Sequence, residues 1–282
     1  MTLIITAVGK NFVIQASDRR LTTSSGALYD DNANKALCVV CRDAVFAMAY
    51  TGLAHIGRKR TDEWLVDELS EMDVGNLSFI ELWMALKGKL EPVFNKLQVD
   101  RRHRGLVIAF AGYRPVPETE GPLKKFAGQV EGFAGQLSNI DDDAAKPLPE
   151  PDDQFCWHSW WHPNIKKLKR LLCVIHGAEQ AVGKKDILGL DSIAKNASSK
   201  APEITAARCV YLIRRISNNE KHGALIGKDC MSVIVSRTGK FTTKYHPQRK
   251  SPIGYAPHFI TGSMSFKDIY FRQGGRSRGR KP

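Results

Sequence analysis

The residue with the most unusual chemical opportunity is Thr2, which directly follows Met1. Methionine aminopeptidases remove an initiator methionine when the next side chain is small, so a mature chain opening on Thr2 is expected. Such a threonine carries its own base. An α-amine titrates at about 8 and can take the proton from the neighbouring hydroxyl, directly or through a water. No histidine is required. The nucleophile does need a cation to lower the hydroxyl pKa, a carboxylate to hold that cation, and a backbone N–H to meet the oxyanion. Asp18, Lys35 and Gly52 are candidates for these three tasks.

The spacing of these residues matters because each lies at the end of a predicted strand. Residues 3–8 are apolar and β-branched, 9–11 read as a tight turn, and 12–17 return as a second strand. That hairpin would bring Asp18 back beside Thr2. After a polar loop, residues 35–41 and 44–50 read as a third and a fourth strand, with Lys35 opening one and Gly52 following the other. The long stem of Lys35 can cross a gap between sheets while its charge stays near Asp18. Several of these strands are apolar on both faces, as expected of strands buried between two layers.

Helices follow. Leu65, Leu69 and Met72 keep helical spacing, and Ser78 with Glu81 forms a capping box. Behind it runs a stripe of Trp83, Leu86, Leu90, Val93 and Leu97, in which Pro92 predicts a kink or a restart. Residues 105–112 read as a strand. The stretch from about 115 to 165 is rich in Pro, Gly and acid and reads as an insertion, partly extended and partly disordered, with a Trp-rich end. Residues 168–175 read as a strand ending at His176-Gly177. Residues 178–196 are weakly helical, and Pro202 opens a clearer helix with Ala206, Val210 and Ile213 on one face. Residues 231–236 and 241–246 predict a hairpin, and the remainder reads as loop and tail. Two antiparallel sheets covered by helix layers would satisfy this order. The expected organisation is one domain over 1–271 and a basic disordered tail over 272–282.

Composition excludes several classes. Apolar residues are 43% and charged residues 25% of 282, which argues against wholesale disorder. Lys plus Arg is 42 against 29 Asp plus Glu, a net charge of +13. Arg272, Arg276, Arg278, Arg280 and Lys281 concentrate part of that excess in the tail, which reads as a solvated end rather than a nucleic-acid module. No run is apolar for the roughly 20 residues a membrane helix needs, and no signal peptide opens the chain. A cytoplasmic protein is therefore expected. Cys38 and Cys41 share CxxC spacing, but three residues apart on a strand they face opposite ways and read as core. Cys156, His158 and His162 share one strand parity without an evident fourth ligand, so no metal is expected. No GxxxxGK[ST] phosphate loop occurs, and no cofactor is expected.

The segment from Thr2 through Val13-Ile-Gln-Ala-Ser-Asp18-Arg19-Arg20 and Lys35 to Ala49-Tyr-Thr-Gly52 resembles the start of proteasome β subunits and the related bacterial proteasome-like peptidases. The detailed resemblance runs from Thr2 to about Ser70, and beyond that only the order of elements matches. It implies an α+β fold, the four-layer αββα sandwich of the N-terminal nucleophile hydrolases. It implies that Thr2 attacks a peptide bond, that Asp18 and Lys35 form its charged support with Arg20 two residues after the Asp, and that Gly52 supplies the oxyanion N–H. By the same resemblance Thr22 would pair with the substrate backbone, and Tyr50 would face the pocket for the side chain before the cleaved bond. The implied partners are a peptide or protein substrate and further copies of the chain in a ring, with any unfoldase partner left unspecified.

Two departures stand out. Where the family carries a Ser after a strand-ending Gly, this chain has Ala178 after Gly177. Around residues 221–227 the family's Asp and Ser are missing. The alternative expectation is therefore a catalytically inactive assembly subunit of the same fold.

Overall fold

The computed structural model describes residues 2–22, 27–115, 130–140, 151–161, 170–196, 201–219, 223–249, 253–262, 264–266 and 270–272. The chain opens with the expected hairpin of β1 (Ile4–Val8) and β2 (Phe12–Asp18), closed by Gly9 N–H on Phe12 O at 3.0 Å. Two short ribbons flank a second hairpin. They are β3 (Leu21–Thr22) with β4 (Leu28–Asp30), and β7 (His55–Ile56) with β8 (Lys59–Arg60). The hairpin between them is β5 (Ala36–Val40) and β6 (Val45–Gly52).

Helix α1 (Thr61–Glu71) and helix α2 (Phe79–Phe94) come next. The capping box at α2 is realised in both directions, with Glu81 N–H on Ser78 Oγ at 3.3 Å and Ser78 N–H on Glu81 Oε2 at 2.7 Å. Pro92 does not restart the helix, which runs unbroken from Phe79 to Phe94. It falls in the last turn of α2, where only the bond to the carbonyl of Gly88 is lost and few residues follow.

The later elements are β9 (Leu106–Pro115), β10 (Val130–Ile140), β11 (Pro151–Trp161), β12 (Leu172–His176), α3 (Lys184–Asn196), α4 (Pro202–Ile216), β13 (Cys230–Ser236), β14 (Phe241–His246), β15 (Ile253–Tyr255), β16 (His258–Thr261), β17 (Met264–Phe266) and β18 (Tyr270–Arg272). Among the described residues, none of the helices is long and apolar enough to cross a membrane.

Two sheets carry the molecule. A five-stranded sheet runs β12-β1-β2-β13-β14, and a seven-stranded sheet runs β11-β10-β9-β6-β5-β16-β17. Their pairings are antiparallel except that of β16 with β5. Three larger apolar clusters among the described residues follow from the alternation of strand side chains, beside a small one of Ile4, Ala49 and Ala109. Phe46, Met48, Phe110 and Phe133 of the larger sheet pack with Trp83, Leu86 and Leu90 of α2. Ile5 and Ile14 of the smaller sheet pack with Cys209, Val210 and Ile213 of α4. Val8, Val13, Ala36, Ala47, Ala111, Met231 and Val233 form a third cluster from both sheets. Its small side chains let two backbone layers approach closely.

Two stretches differ from the expectation. Residues 130–140 and 151–161, read from composition as part of an insertion, form β10 and β11 of the larger sheet. The glycines are the reason. A Cβ on Gly135 would sit 2.5 Å from the Phe110 ring, so glycine serves a close packing contact here rather than a loop. Trp157 on β11 meets Trp83 at 5.7 Å between ring centroids. The second stretch is the C-terminal region, read as loop, which supplies β15 to β18. Arg272 closes β18. The rest of the basic tail, His162, Gly26 and the stretch 220–222 lie outside the described residues.

Candidate active site

Thr2 sits just ahead of β1 and is only 2% exposed. The β1–β2 register pairs Ile4 with Ser17, so one step further Leu3 faces Asp18. Leu3 N–H donates to Asp18 Oδ1 at 2.7 Å. Asp18 Oδ2 accepts from Arg20 N–H and from Gly227 N–H, each at 2.9 Å. Three backbone donors thus fix the carboxylate in one orientation.

Lys35 reaches this carboxylate from the segment before β5. Its Nζ lies 3.7 Å from Asp18 Oδ2, and both side chains are 0% exposed. The same Nζ donates to Thr2 Oγ1 and to the Arg20 carbonyl. Burial pulls the Lys35 ammonium below its ordinary pKa of 10.5, against the support of Asp18 and Asp62. The sequence-derived trio of Thr2, Asp18 and Lys35 is therefore in contact.

Thr51 completes the frame. Its Oγ1 accepts from Thr2 N at 3.2 Å and donates to Thr2 O at 3.0 Å. Thr51 lies between the two residues picked from the sequence, Tyr50 and Gly52, and strand parity decides among them. Met48 and Tyr50 point toward the helices, so Thr51 points the other way, at Thr2. Gly52 follows with φ +106, and a Cβ there would lie 2.0 Å from Gly105 O. Only glycine fits that backbone. Gly177 at the end of β12 is under a similar constraint. Its φ is +71, and a Cβ would lie 2.3 Å from Thr2 O. Ala178 beside it holds φ +44, a left-handed conformation that costs a non-glycine residue energy.

The side chains of Arg20 and Tyr50 turn to other partners. The Arg20 guanidinium turns away and forms a fork on Asp31 at 2.6 and 3.0 Å, with Nη1 on the Ala224 carbonyl at 2.8 Å. Arg20 serves the site through its backbone. Thr22 is half-buried on β3, paired with Leu28. The Tyr50 ring is buried on the helix side, with its hydroxyl 3.5 Å from Asp62 Oδ1.

Asp62 belongs to a second buried polar group that sequence reasoning missed. Arg60 Nη2 lies 2.9 Å and His258 Nε2 3.5 Å from Asp62 Oδ2. Burial alone would raise this carboxyl, but His258 and Arg60 outweigh it and hold it below its usual value. A third buried group, His176 on β12, places Nδ1 2.9 Å from Gln136 Oε1 on β10 and so bridges the two sheets. Burial depresses it to about 4, which leaves the ring neutral at pH 7.

The class of fold is a mixed α+β arrangement of two sheets with helices, and solved structures of that kind exist. One is an Anbu (Gly-1) mutant from Hyphomicrobium sp. strain MC1, with a TM-score of 0.54, 11% identity, and 89% of each chain covered. Another is Anbu from Yersinia bercovieri, described as an ancestral beta-subunit, with a TM-score of 0.52, 8% identity, and 87% of each chain covered. No family model and no curated protein matches the sequence. This corrects the family read from the N-terminal motifs. Motif likeness pointed to proteasome β subunits and bacterial proteasome-like peptidases, whereas the likeness found is one of fold, to Anbu, at 8–11% identity.

Proposed function

We propose that the protein is an N-terminal threonine hydrolase that cleaves peptide or amide bonds. The observation that carries this reading is the buried contact of Lys35 Nζ with Thr2 Oγ1, backed by Asp18 at 3.7 Å. With Met1 removed, the Thr2 amine takes the hydroxyl proton as Thr2 Oγ attacks the substrate carbonyl carbon. The Lys35 ammonium stabilises the developing alkoxide, and Asp18 keeps that ammonium in place. The Gly52 N–H receives the oxyanion. The amine returns its proton to the leaving nitrogen, the acyl group remains as an ester on Thr2, and water then hydrolyses the ester. Thr22, on the β3–β4 ribbon, is read as pairing with substrate backbone. The layers are read as αββα, with α1 and α2 outside the larger sheet and α3 and α4 outside the smaller. The chain is read as a homo-oligomer acting in the cytoplasm.

A second reading has one observation in its favour. Ala178, which carries no hydroxyl, follows Gly177 where that glycine abuts Thr2, as it would in an assembly subunit that keeps Met1 and does no chemistry. Intact-mass spectrometry separates the two. A chain lacking Met1 that gains the mass of a threonine-directed electrophile at Thr2 supports the hydrolase. A chain that keeps Met1 and stays unmodified refutes it.

A further inference from the structure

Arg19 follows Asp18 directly, yet the chemistry above does not use it. It is 1% exposed, a costly place for a guanidinium without partners. Its Nε donates to the Ala33 carbonyl at 3.0 Å, and its Nη2 donates to the Asn32 carbonyl. The backbone repeats the connection, with Ala33 N–H on Arg19 O at 3.2 Å and Arg19 N–H on Asp229 O at 3.0 Å. The guanidinium carbon lies 3.8 Å from the centroid of the Tyr255 ring and 5.2 Å from that of Tyr245. Those rings meet edge to face, and the Tyr245 hydroxyl donates to Asp229 at 3.0 Å.

The consequence lies two residues downstream of Ala33. Lys35 must place one nitrogen at Thr2, at the Arg20 carbonyl and near Asp18 together. The segment that carries it has no helix or strand of its own before Ala36. The Arg19 fork grips two consecutive carbonyls of that segment, which a lysine ammonium cannot do with the same geometry. We infer that Arg19 is a positioning residue of the Thr2 site, clamping the Asn32 and Ala33 carbonyls so that the Lys35 ammonium is held between Asp18 and Thr2. This rests on the reading of Thr2 as the nucleophile.

The charges around the pair are defined. Asp18 and Asp62 favour a charged Lys35, whereas burial and Arg19 oppose it. Arg19 itself is faced by Tyr245, Tyr255 and Asp229. Removing the Arg19 charge therefore moves the Lys35 titration to higher pH.

The test compares the full-length protein with Arg19→Lys, Arg19→Met and Tyr255→Leu, each first checked for folding by circular dichroism. Two readouts are taken. One is the rate at which a β-lactone acylates Thr2 across pH. The other is the pH titration of the Lys35 Cε signal in 13C-lysine-labelled protein, assigned by its loss in Lys35→Met. Arg19→Lys keeps the charge but loses the fork, and acylation falls by on the order of tenfold to a hundredfold. Arg19→Met slows acylation as much and also moves the Lys35 titration upward. Tyr255→Leu releases the guanidinium from its ring and slows acylation by a smaller factor. Folded Arg19 variants with wild-type acylation and wild-type Lys35 titration overturn the inference. Should neither Arg19 variant fold, Tyr255→Leu decides, and no change in either readout overturns it. Should the unaltered protein fail to be acylated, the nucleophile reading fails instead, and the Lys35 titration in Arg19→Lys, which keeps the charge and loses the fork, decides the clamp: a shifted titration supports it and a wild-type titration overturns it.

Discussion

Lys35 is held charged by carboxylates and pressed toward neutrality by burial, and that opposition has a measurable consequence. Its ammonium gives up its proton below the ordinary lysine value of 10.5. Thr2 acylation needs that ammonium, so its alkaline limb is expected below pH 10.5 and not above it. A rate profile that stays flat through that pH contradicts this. Lys35→Met removes the cation and leaves Asp18 buried without it, for which about 3–5 kcal/mol of stability is the expected cost. The three N–H donors on Asp18 place the loss at the lower end, and urea denaturation measures it. Thr2, Asp18 and Lys35 were legible because each stands at a strand end whose position the hairpins dictate. Thr51 was not singled out, because its value comes from facing opposite to Tyr50. Gly227 was overlooked because it contributes a backbone N–H, which no side-chain inventory reveals.

The elements around the site are joined by a few close contacts. Gly227, which precedes β13, would as alanine place its Cβ 2.9 Å from Arg20 Cβ and 3.1 Å from Asp18 Oδ2. Gly227→Ala is expected to cost about 1–3 kcal/mol and to slow Thr2 acylation by displacing the carboxylate. Chemical denaturation alongside an acylation assay checks both effects. Between the sheets, the neutral His176 sets a pH dependence. Its folded value of about 4 lies below the ordinary 6.5, so the unfolded chain binds the extra proton first. Stability is full above pH 6.5 and falls as pH drops from 6.5 toward 4, by at most about 3 kcal/mol from this group. His176→Gln should flatten that part of the curve, and an unchanged slope would show that another group governs it. His246, also depressed to about 4 by burial, adds to the same window. β1, β2, β5 and β6 were legible from β-branched runs and tight turns. β10 was not, because Gly132 and Gly135 read as punctuation, although a side chain at Gly135 would collide with Phe110 and one at Gly132 would press on Val8.

At the scale of the whole molecule, the larger sheet and α2 meet through aromatic rings. Phe79 lies 4.5 Å from Phe133 and Trp83 4.2 Å from Phe110, measured between ring centroids. Truncating Trp83 to alanine is expected to cost about 3–5 kcal/mol, read by thermal or urea unfolding, without selective loss of Thr2 reactivity. The proposed self-assembly predicts a light-scattering mass that is a multiple of the single-chain mass. A sharply monomeric mass contradicts it. The two-sheet plan was legible from element order and from strands apolar on both faces. The C-terminal strands escaped notice because β16 joins the larger sheet by pairing in parallel with β5, which sets His258 beside Leu37. Local sequence pattern carries no trace of a pairing between segments so far apart along the chain.

The central claim is that the Thr2 hydroxyl, backed by Lys35 and Asp18, is the nucleophile. The most direct measurement treats the purified protein and its Thr2→Ala variant with a threonine-directed electrophile and maps the adduct by peptide mass spectrometry. The account predicts a chain that begins at Thr2, a single adduct on that residue, and loss of both adduct and peptide hydrolysis in the equally stable Thr2→Ala protein. Hydrolysis that survives the substitution contradicts it.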